Sequence, residues 1–374
     1  MAALARIPLR SGALILAALA LLVAGWLVLS PPRAIEAGVL LSELARGEVP
    51  LSVPASLSWQ SGGAAETGDL YRPPQGARAA LLLVPGAAET GKDDPRLVSF
   101  ARGLAAHGVL VLVPDLPGPK ALRVGHEDIG EIADAAAYLL SLPHGAGPLG
   151  IAAISYGVGP AILAALEPRL RERVGFLVAL GGYYDATSVL TFFTTGYWRR
   201  GAGGPWQLGR PNAYGKWVFV LANASRLDSY PDRERLEAIA RQKLANLDAD
   251  VSGLEESLGP QGRAVMALLD NRDPLRVPEL IATLPERIQA EIAALDLAGK
   301  DLSGLHAQVL LIHGRDDAIV PYSESIALAT ALGPRAHLYL LDRLAHASLT
   351  PGDLADAWRL WRAAVRLLSL RDGG

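Results

Sequence analysis

The sequence predicts an α/β protein built on an open, mostly parallel sheet with helices on both faces. Three observations lead there. Apolar runs without polar alternation recur along the chain, as in strands covered on both sides. They alternate with helix-like stretches in short units, the rhythm of strand–helix–strand repeats. One run, in Gly-Ile-Ala-Ala-Ile-Ser-Tyr-Gly-Val-Gly from Gly150 to Gly159, ends at a serine among small residues, and a helical stretch starts at once.

The elements follow in order. Arg33–Pro50 reads as a helix or spacer. Leu51–Trp59 and Glu66–Arg72 are short and turn-bounded, as in a hairpin. Strand-like Ala79–Val84 is followed by helical Leu97–His107, Val109–Val113 by Ile129–Leu142, and Leu149–Ile154 by Tyr156–Glu167. Val174–Leu180 is the next strand. The rhythm resumes with Gln308–Ile312, Ser323–Leu332, His337–Leu341 and a last helix near Leu354–Leu368. Between these blocks the pattern changes. It begins aromatic and Gly-rich (Phe192, Phe193, Tyr197, Trp198, Trp206) and continues in helical stretches such as Asp232–Leu247 and Pro285–Leu297, which predicts a helical cap inserted between two strands. The aromatic start predicts either a lid over a pocket or packing of cap on core. Arg199 and Arg200 there read as a solvated turn or as partners for a carboxylate or lipid headgroup. The resulting division is 1–33, 34–184 (core, first part), 185–305 (cap) and 306–374 (core, second part).

At 374 residues, half of them apolar, the chain can bury a large core and is not a disordered protein. A net charge of −3 and the lack of a basic stripe with interleaved aromatics exclude nucleic acid as a partner. With no cysteine there are no disulfides, thiolate metal sites or cysteine nucleophile. Gly12–Leu29 is uninterrupted by charge and follows Arg6 and Arg10. At about 1.5 Å per residue it spans roughly 27 Å, enough for the hydrocarbon layer. It exits through Trp26, Ser30, Pro31 and Pro32 rather than an Ala-x-Ala-like site, which predicts an uncleaved single-pass transmembrane anchor instead of a cleaved signal peptide. The leading arginines predict a cytoplasmic N-terminus with the remainder extracytoplasmic, in the periplasm if the cell is Gram-negative.

In an open parallel sheet, ligands bind at the carboxyl ends of the strands, so the residues after each strand carry the chemistry. A serine on a strand-to-helix corner projects its hydroxyl off the sheet edge. The usual Gly-x-Ser-x-Gly becomes Ala153-Ile154-Ser155-Tyr156-Gly157 here. A serine hydroxyl needs an imidazole to take its proton and a carboxylate to orient that imidazole. Ser155, Asp317 and His346 occur in that order, each after a predicted strand. Donors for an oxyanion are the amides of Tyr156, at a helix start, and of Ala87, after Ala79–Val84.

At these residues the chain resembles the α/β-hydrolase family over about 79–182 and 305–368, with the cap as an insertion. The first part looks most like the dienelactone-hydrolase and acyl-peptidase-like branches. The elbow at Ser155, the Gly314-x-x-Asp317-x-x-Val320-Pro321 stretch and the late His346 carry the resemblance. It implies an α/β-hydrolase fold with an eight-stranded, mostly parallel sheet, a catalytic triad of Ser155, Asp317 and His346, an oxyanion hole at Tyr156 and Ala87, and no cofactor or metal. Where the family often has His-Gly, this chain has Pro85-Gly86. The function implied is that of a membrane-anchored serine esterase acting on a small-molecule ester or acyl substrate. A peptidase or acyltransferase uses the same triad, and a non-catalytic membrane-anchored binding protein is the alternative outside enzymes.

The remaining candidates have simpler readings. Asp317, three after Gly314, is preferred over Asp316, which reads as a loop cap. His313 reads as a packing or hydrogen-bonding residue, His107 and His337 as structural, His144 and His306 as surface, and Asp115 as loop-shaping. His126, Glu127 and Asp128 are adjacent, so they point in divergent directions and read as helix capping rather than a metal site.

Overall fold

The computed structural model describes residues 32–143, 147–201, 203–344 and 354–374. Helix α1 (Pro32–Arg46) leads into a hairpin, β1 (Ala55–Ser61) and β2 (Ala64–Tyr71). The units that follow are β3 (Ala79–Val84), α2 (Pro95–Ala106), β4 (Val109–Pro114), a short α3 (Pro117–Lys120), α4 (Glu127–Ser141), β5 (Leu149–Ile154), α5 (Val158–Ala165) and β6 (Val174–Leu180). After the cap come β9 (Gln308–Gly314), α13 (Ser323–Leu332), β10 (Ala336–Leu341) and α14 (Leu354–Arg371). These strands form one eight-stranded sheet in the order β1-β2-β4-β3-β5-β6-β9-β10. All neighbours are parallel except β1 with β2 and β2 with β4. The mostly parallel, helix-covered sheet inferred from the apolar runs is therefore present, with the strand count that the α/β-hydrolase resemblance implies.

Over the central strands both faces are buried, which is why β3, β4, β5 and β9 lack polar alternation. Ala80, Leu82 and Val84 of β3 pack under α4, α5 and α13, while Leu81 and Leu83 pack against α1, α2 and α14. On β9, Val309 and Leu311 take the first side and Leu310 and Ile312 the second. Each fully buried Leu or Ile contributes about 1.5–3 kcal/mol. A one-residue slip would exchange the faces, so register is firmly specified.

The cap runs from α6 (Ala186–Thr195) through a two-stranded ribbon, β7 (Tyr197–Trp198) and β8 (Gln207–Leu208). Helices α7 (Tyr214–Ala224), α8 (Tyr230–Ala245), α9 (Ser252–Glu256), α10 (Pro260–Asp270), α11 (Val277–Ala282) and α12 (Glu286–Leu295) follow. It has its own apolar core, including Trp217, Leu236, Ile239 and Leu268. Leu122, from the loop after β4, reaches into this core at a φ of 58°. At its base the cap closes on itself: the amides of Leu297 and Ala298 both donate to the carbonyl of Tyr184 (3.0 Å each).

Helix α1 is bound to the C-terminus. Arg371, 1% exposed, pairs with Glu36 and with Asp372 (2.9 Å). Arg33 reaches Asp372 at 2.6 Å, and Trp361 donates to the carbonyl of Ala34. The predicted anchor, 12–29, lies outside the described residues. Among the described residues no helix is long and apolar enough to cross a membrane.

Packing around the start of α5 leaves no room for extra atoms. A Cβ on Gly159 would overlap the hydroxyl of Tyr183, and one on Gly182 would press on Val158 at 2.5 Å. Gly159→Ala is therefore expected to cost about 1–3 kcal/mol by overpacking. Thermal unfolding checks this, and Tyr183→Phe in the same chain should restore part of the loss; an unchanged melting temperature for Gly159→Ala would contradict it.

Candidate active site

Ser155 stands where β5 turns into α5. Its φ is 54°, a left-handed conformation that a residue with a side chain adopts only under constraint. One 3-10 turn, Ser155–Gly157, separates strand from helix. A Cβ on Gly157 would lie 3.0 Å from the carbonyl oxygen of Pro85, so the corner needs glycine there. Ala153, at the matching position before the serine, is 2% exposed and fits with its methyl. β3 and β5 are neighbours, and Gly86 after β3 lies against the corner, its Cβ position 3.3 Å from the carbonyl of Ile154 and 3.6 Å from the Cβ of Ser155. Ala87 follows directly.

Asp317 lies in the loop after β9, with its side chain buried. Its Oδ1 accepts from the amides of Ile319 (2.8 Å) and Val320 (3.0 Å). Its Oδ2 is 3.3 Å from Nε2 of His313 and 3.3 Å from where Gly181, at the end of β6, would carry a Cβ. His313 is fully buried, with Nε2 also 3.0 Å from the carbonyl of Val320 and Nδ1 2.7 Å from Oγ of Ser325. The carbonyl accepts only, so Nε2 carries the proton and Nδ1 accepts from the serine. Asp316 instead accepts from the amide of Leu344 (2.9 Å), tying the loops after β9 and β10 together. His346 lies outside the described residues.

Ser155, Tyr156 and Ala87 line one cavity of about 190 Å³ between sheet and cap. Ile319 and Val320, whose amides hold Asp317, line it too. Val124 and Tyr183 of the core line it as well, and the cap supplies the rest, chiefly apolar side chains such as Val189, Leu190, Phe193, Val218 and Phe219. Of the aromatic residues that open the cap, Phe193 lines the cavity and Phe192 packs inside. Trp198 meets Tyr322 edge-on at 5.0 Å. Arg199 lies over Trp206 (4.4 Å) and Arg200 over Tyr322 (5.5 Å), so both cations rest on aromatic faces.

A polar cluster borders the cavity, and most of it is illegible in the sequence. Glu291 of α12 accepts from the amide of His126 (2.5 Å), from Nδ1 of His126 (2.7 Å) and from Nε of Arg226 (3.0 Å). Arg226 also reaches Glu127 at 3.3 Å. His126, Glu127 and Glu291 bring ligand-type atoms within 4.8 Å of one another, but the guanidinium of Arg226 already supplies the positive charge among them. The expectation of helix capping is corrected for His126: its side chain makes no cap bond and instead joins core to cap. That bond raises the imidazole's pKa. Glu324 of α13, also unforeseen, accepts from the amides of Tyr184 and Asp185 and from the hydroxyl of Ser188, fixing the start of the cap. Burial raises its pKa.

Asp128 is buried, and its Oδ2 accepts from the amide of Gly125 (3.1 Å) and lies 2.8 Å from the hydroxyl of Tyr156. The same hydroxyl is 2.8 Å from the carbonyl of Gly125. A phenol has one proton for two acceptors. Below its pKa the protonated Asp128 donates to the phenol oxygen, which then donates to Gly125; above it the phenol serves the carboxylate. Burial pushes the Asp128 carboxyl up to about 6 accordingly.

No protein-family model matches this chain, and no curated protein matches it. Among solved structures it is similar to the acylaminoacyl peptidase of Pyrococcus horikoshii, at 14% identity and a TM-score of 0.49, over 88% of this chain and 43% of that one. It thus spans less than half the length of that protein. The α/β hydrolase GrgF from Penicillium sp. sh18 is similar at 14% identity and a TM-score of 0.47, over 86% and 99% of the two chains. Est1E from Butyrivibrio proteoclasticus is similar at 15% and 0.45, over 84% and 98%.

The raised Asp128 pKa has a definite sign. Between the ordinary 3.8 and about 6 the folded chain holds a proton that the unfolded chain has released. The stability this carboxyl contributes is therefore present below the ordinary value and lost as pH rises through about 6. Denaturant unfolding across that window should show wild type losing stability relative to Asp128→Asn; parallel profiles would contradict it.

Proposed function

We propose that this chain is a serine hydrolase that cleaves an ester or related acyl bond, held on a membrane by 12–29 with its catalytic domain on the extracytoplasmic side. The observation that carries the reading is Ser155: a strained serine at the carboxyl end of a central strand, opening onto an apolar cavity. Strain of about 1–3 kcal/mol at one residue persists only where the surroundings enforce it, and such residues cluster at functional sites.

In this reading the Ser155 hydroxyl attacks the acyl carbon as His346 takes its proton. Asp317, held by two backbone amides on one carboxylate oxygen, orients the imidazole and stabilises its charged form. The amides of Tyr156 and Ala87 receive the oxyanion. The bond between acyl carbon and leaving oxygen breaks as His346 returns the proton to that oxygen. Water then repeats the attack on the acyl-enzyme, releasing the acid and restoring Ser155. The apolar walls hold the acyl part and keep bulk water out.

Labelling by a fluorophosphonate probe, with mapping of the modified peptide, tests the assignment. Ser155→Ala should abolish labelling, and Asp317→Asn should lower turnover of a p-nitrophenyl ester on the order of 10⁴-fold. Undiminished labelling of Ser155→Ala would refute the nucleophile. For the tether, the full chain should sediment with membranes until detergent is added, and a chain starting at Pro32 should not; recovery of both in the soluble fraction would remove the anchor.

A further inference from the structure

Helix α1 presents apolar side chains outward as well as inward. Ala34, Ala37 and Leu40 form its buried stripe, yet Ile35 and Val39, one turn apart on the other side, are 41% and 44% exposed. Helix α14 does the same near its start, where Trp358 is 53% exposed. Contacts join the two patches. The indoles of Trp358 and Trp361 stack at 4.7 Å, and Nε1 of Trp361 donates to the carbonyl of Ala34 at 2.9 Å. The tryptophan pair thus abuts the first turn of α1, next to Ile35.

The charges around this corner are sorted. Its carboxylates are consumed internally: Glu36 by Arg371, Asp372 by Arg33 and Arg371, and Asp356 by Arg359 and the amides of Asp342 and Arg343. Arg362, exposed on α14, lies over the ring of Tyr339 and has no carboxylate partner among the described residues. The outward surface therefore combines aliphatic side chains, an indole pair and a cation. That is the composition suited to the boundary between hydrocarbon and headgroups, where indoles and cations anchor and aliphatic groups dip inward.

Position in the chain says what such a surface would meet. Ser30 and Pro31 separate the apolar segment 12–29 from Pro32, and the span from Leu29 to Pro32 reaches at most about 11 Å. A bilayer that holds 12–29 must lie within that reach of the first turn of α1. The ties from α1 to Trp361, Arg371 and Asp372 keep the helix on the domain, so the domain itself is brought to that surface.

We propose that the face formed by α1 and the start of α14, centred on Ile35, Val39 and Trp358, lies in the headgroup layer of the bilayer and fixes how the domain sits on it. This rests on the tether in the reading above and not on the hydrolysis. The face is small, so it orients a tethered chain and does not hold the chain by itself.

Fluorescence quenching at single labels tests this. The chain has no cysteine, so each variant carries one thiol. Val39→Cys and Trp358→Cys probe the proposed face, and Leu275→Cys, exposed on the cap, is the control. Each variant of the full chain is labelled with bimane and reconstituted into vesicles of phosphatidylethanolamine and phosphatidylglycerol, part of the lipid carrying a doxyl quencher just below the headgroup. The labels on α1 and α14 should lose about half of their fluorescence or more, and the label on the cap should be unchanged. Flotation of the same vesicles separates two failures. A chain that floats with both labels unquenched, or quenched no more than the control, keeps its tether and loses this face. A chain that does not float has no tether, and both readings fall. Should Trp358→Cys not fold, Ile35→Cys carries the same expectation.

Discussion

A single backbone constraint organises this molecule: the left-handed corner at Ser155. A non-glycine residue there is strained, and the glycines around it have no room for a side chain. Pro85 and Val84 press on Gly157, Tyr183 on Gly159, and Val158 on Gly182. The small residues around the corner admit a conformation that larger ones would forbid. The adjacent strands then deliver the other parts: the loop after β3 lies against the corner, and the loop after β9 brings the Asp317 carboxylate to the end of β6.

The cap is joined to this edge by charge as well as by apolar packing. Glu291 is almost fully buried, and its two oxygens are satisfied by His126 from the core and Arg226 from the cap. Removing one partner of such a buried group strands a charge, a larger penalty than the pair's net contribution. Glu324 does the corresponding work at the base, where it holds the first turn of α6. The cavity wall is thus braced at two places by carboxylates whose partners come from distant parts of the chain.

What the sequence revealed and what it hid divide along a physical line. The sheet was legible because burial on both faces removes polar alternation from β3, β4, β5 and β9, a local signal. The corner at Ser155 was legible because tight turns demand small residues within a few positions. The helices between β6 and β9 showed as a break in that rhythm. Glu291 and Glu324 were not legible: the bond from His126 to Glu291 spans 165 positions, and nothing local distinguishes either glutamate from a solvated one. His126 was misread as a helix cap for the same reason, since its partner arrives only with the tertiary fold.

The closed base of the cap has a consequence of its own. Because β6 and β9 are adjacent and Leu297 and Ala298 bond back to Tyr184, the excursion leaves and rejoins the sheet at nearly one point. Such a module is topologically separable. It can be lengthened, trimmed or exchanged without re-threading the strands beneath, provided that the replacement keeps the two braces at Glu291 and Glu324.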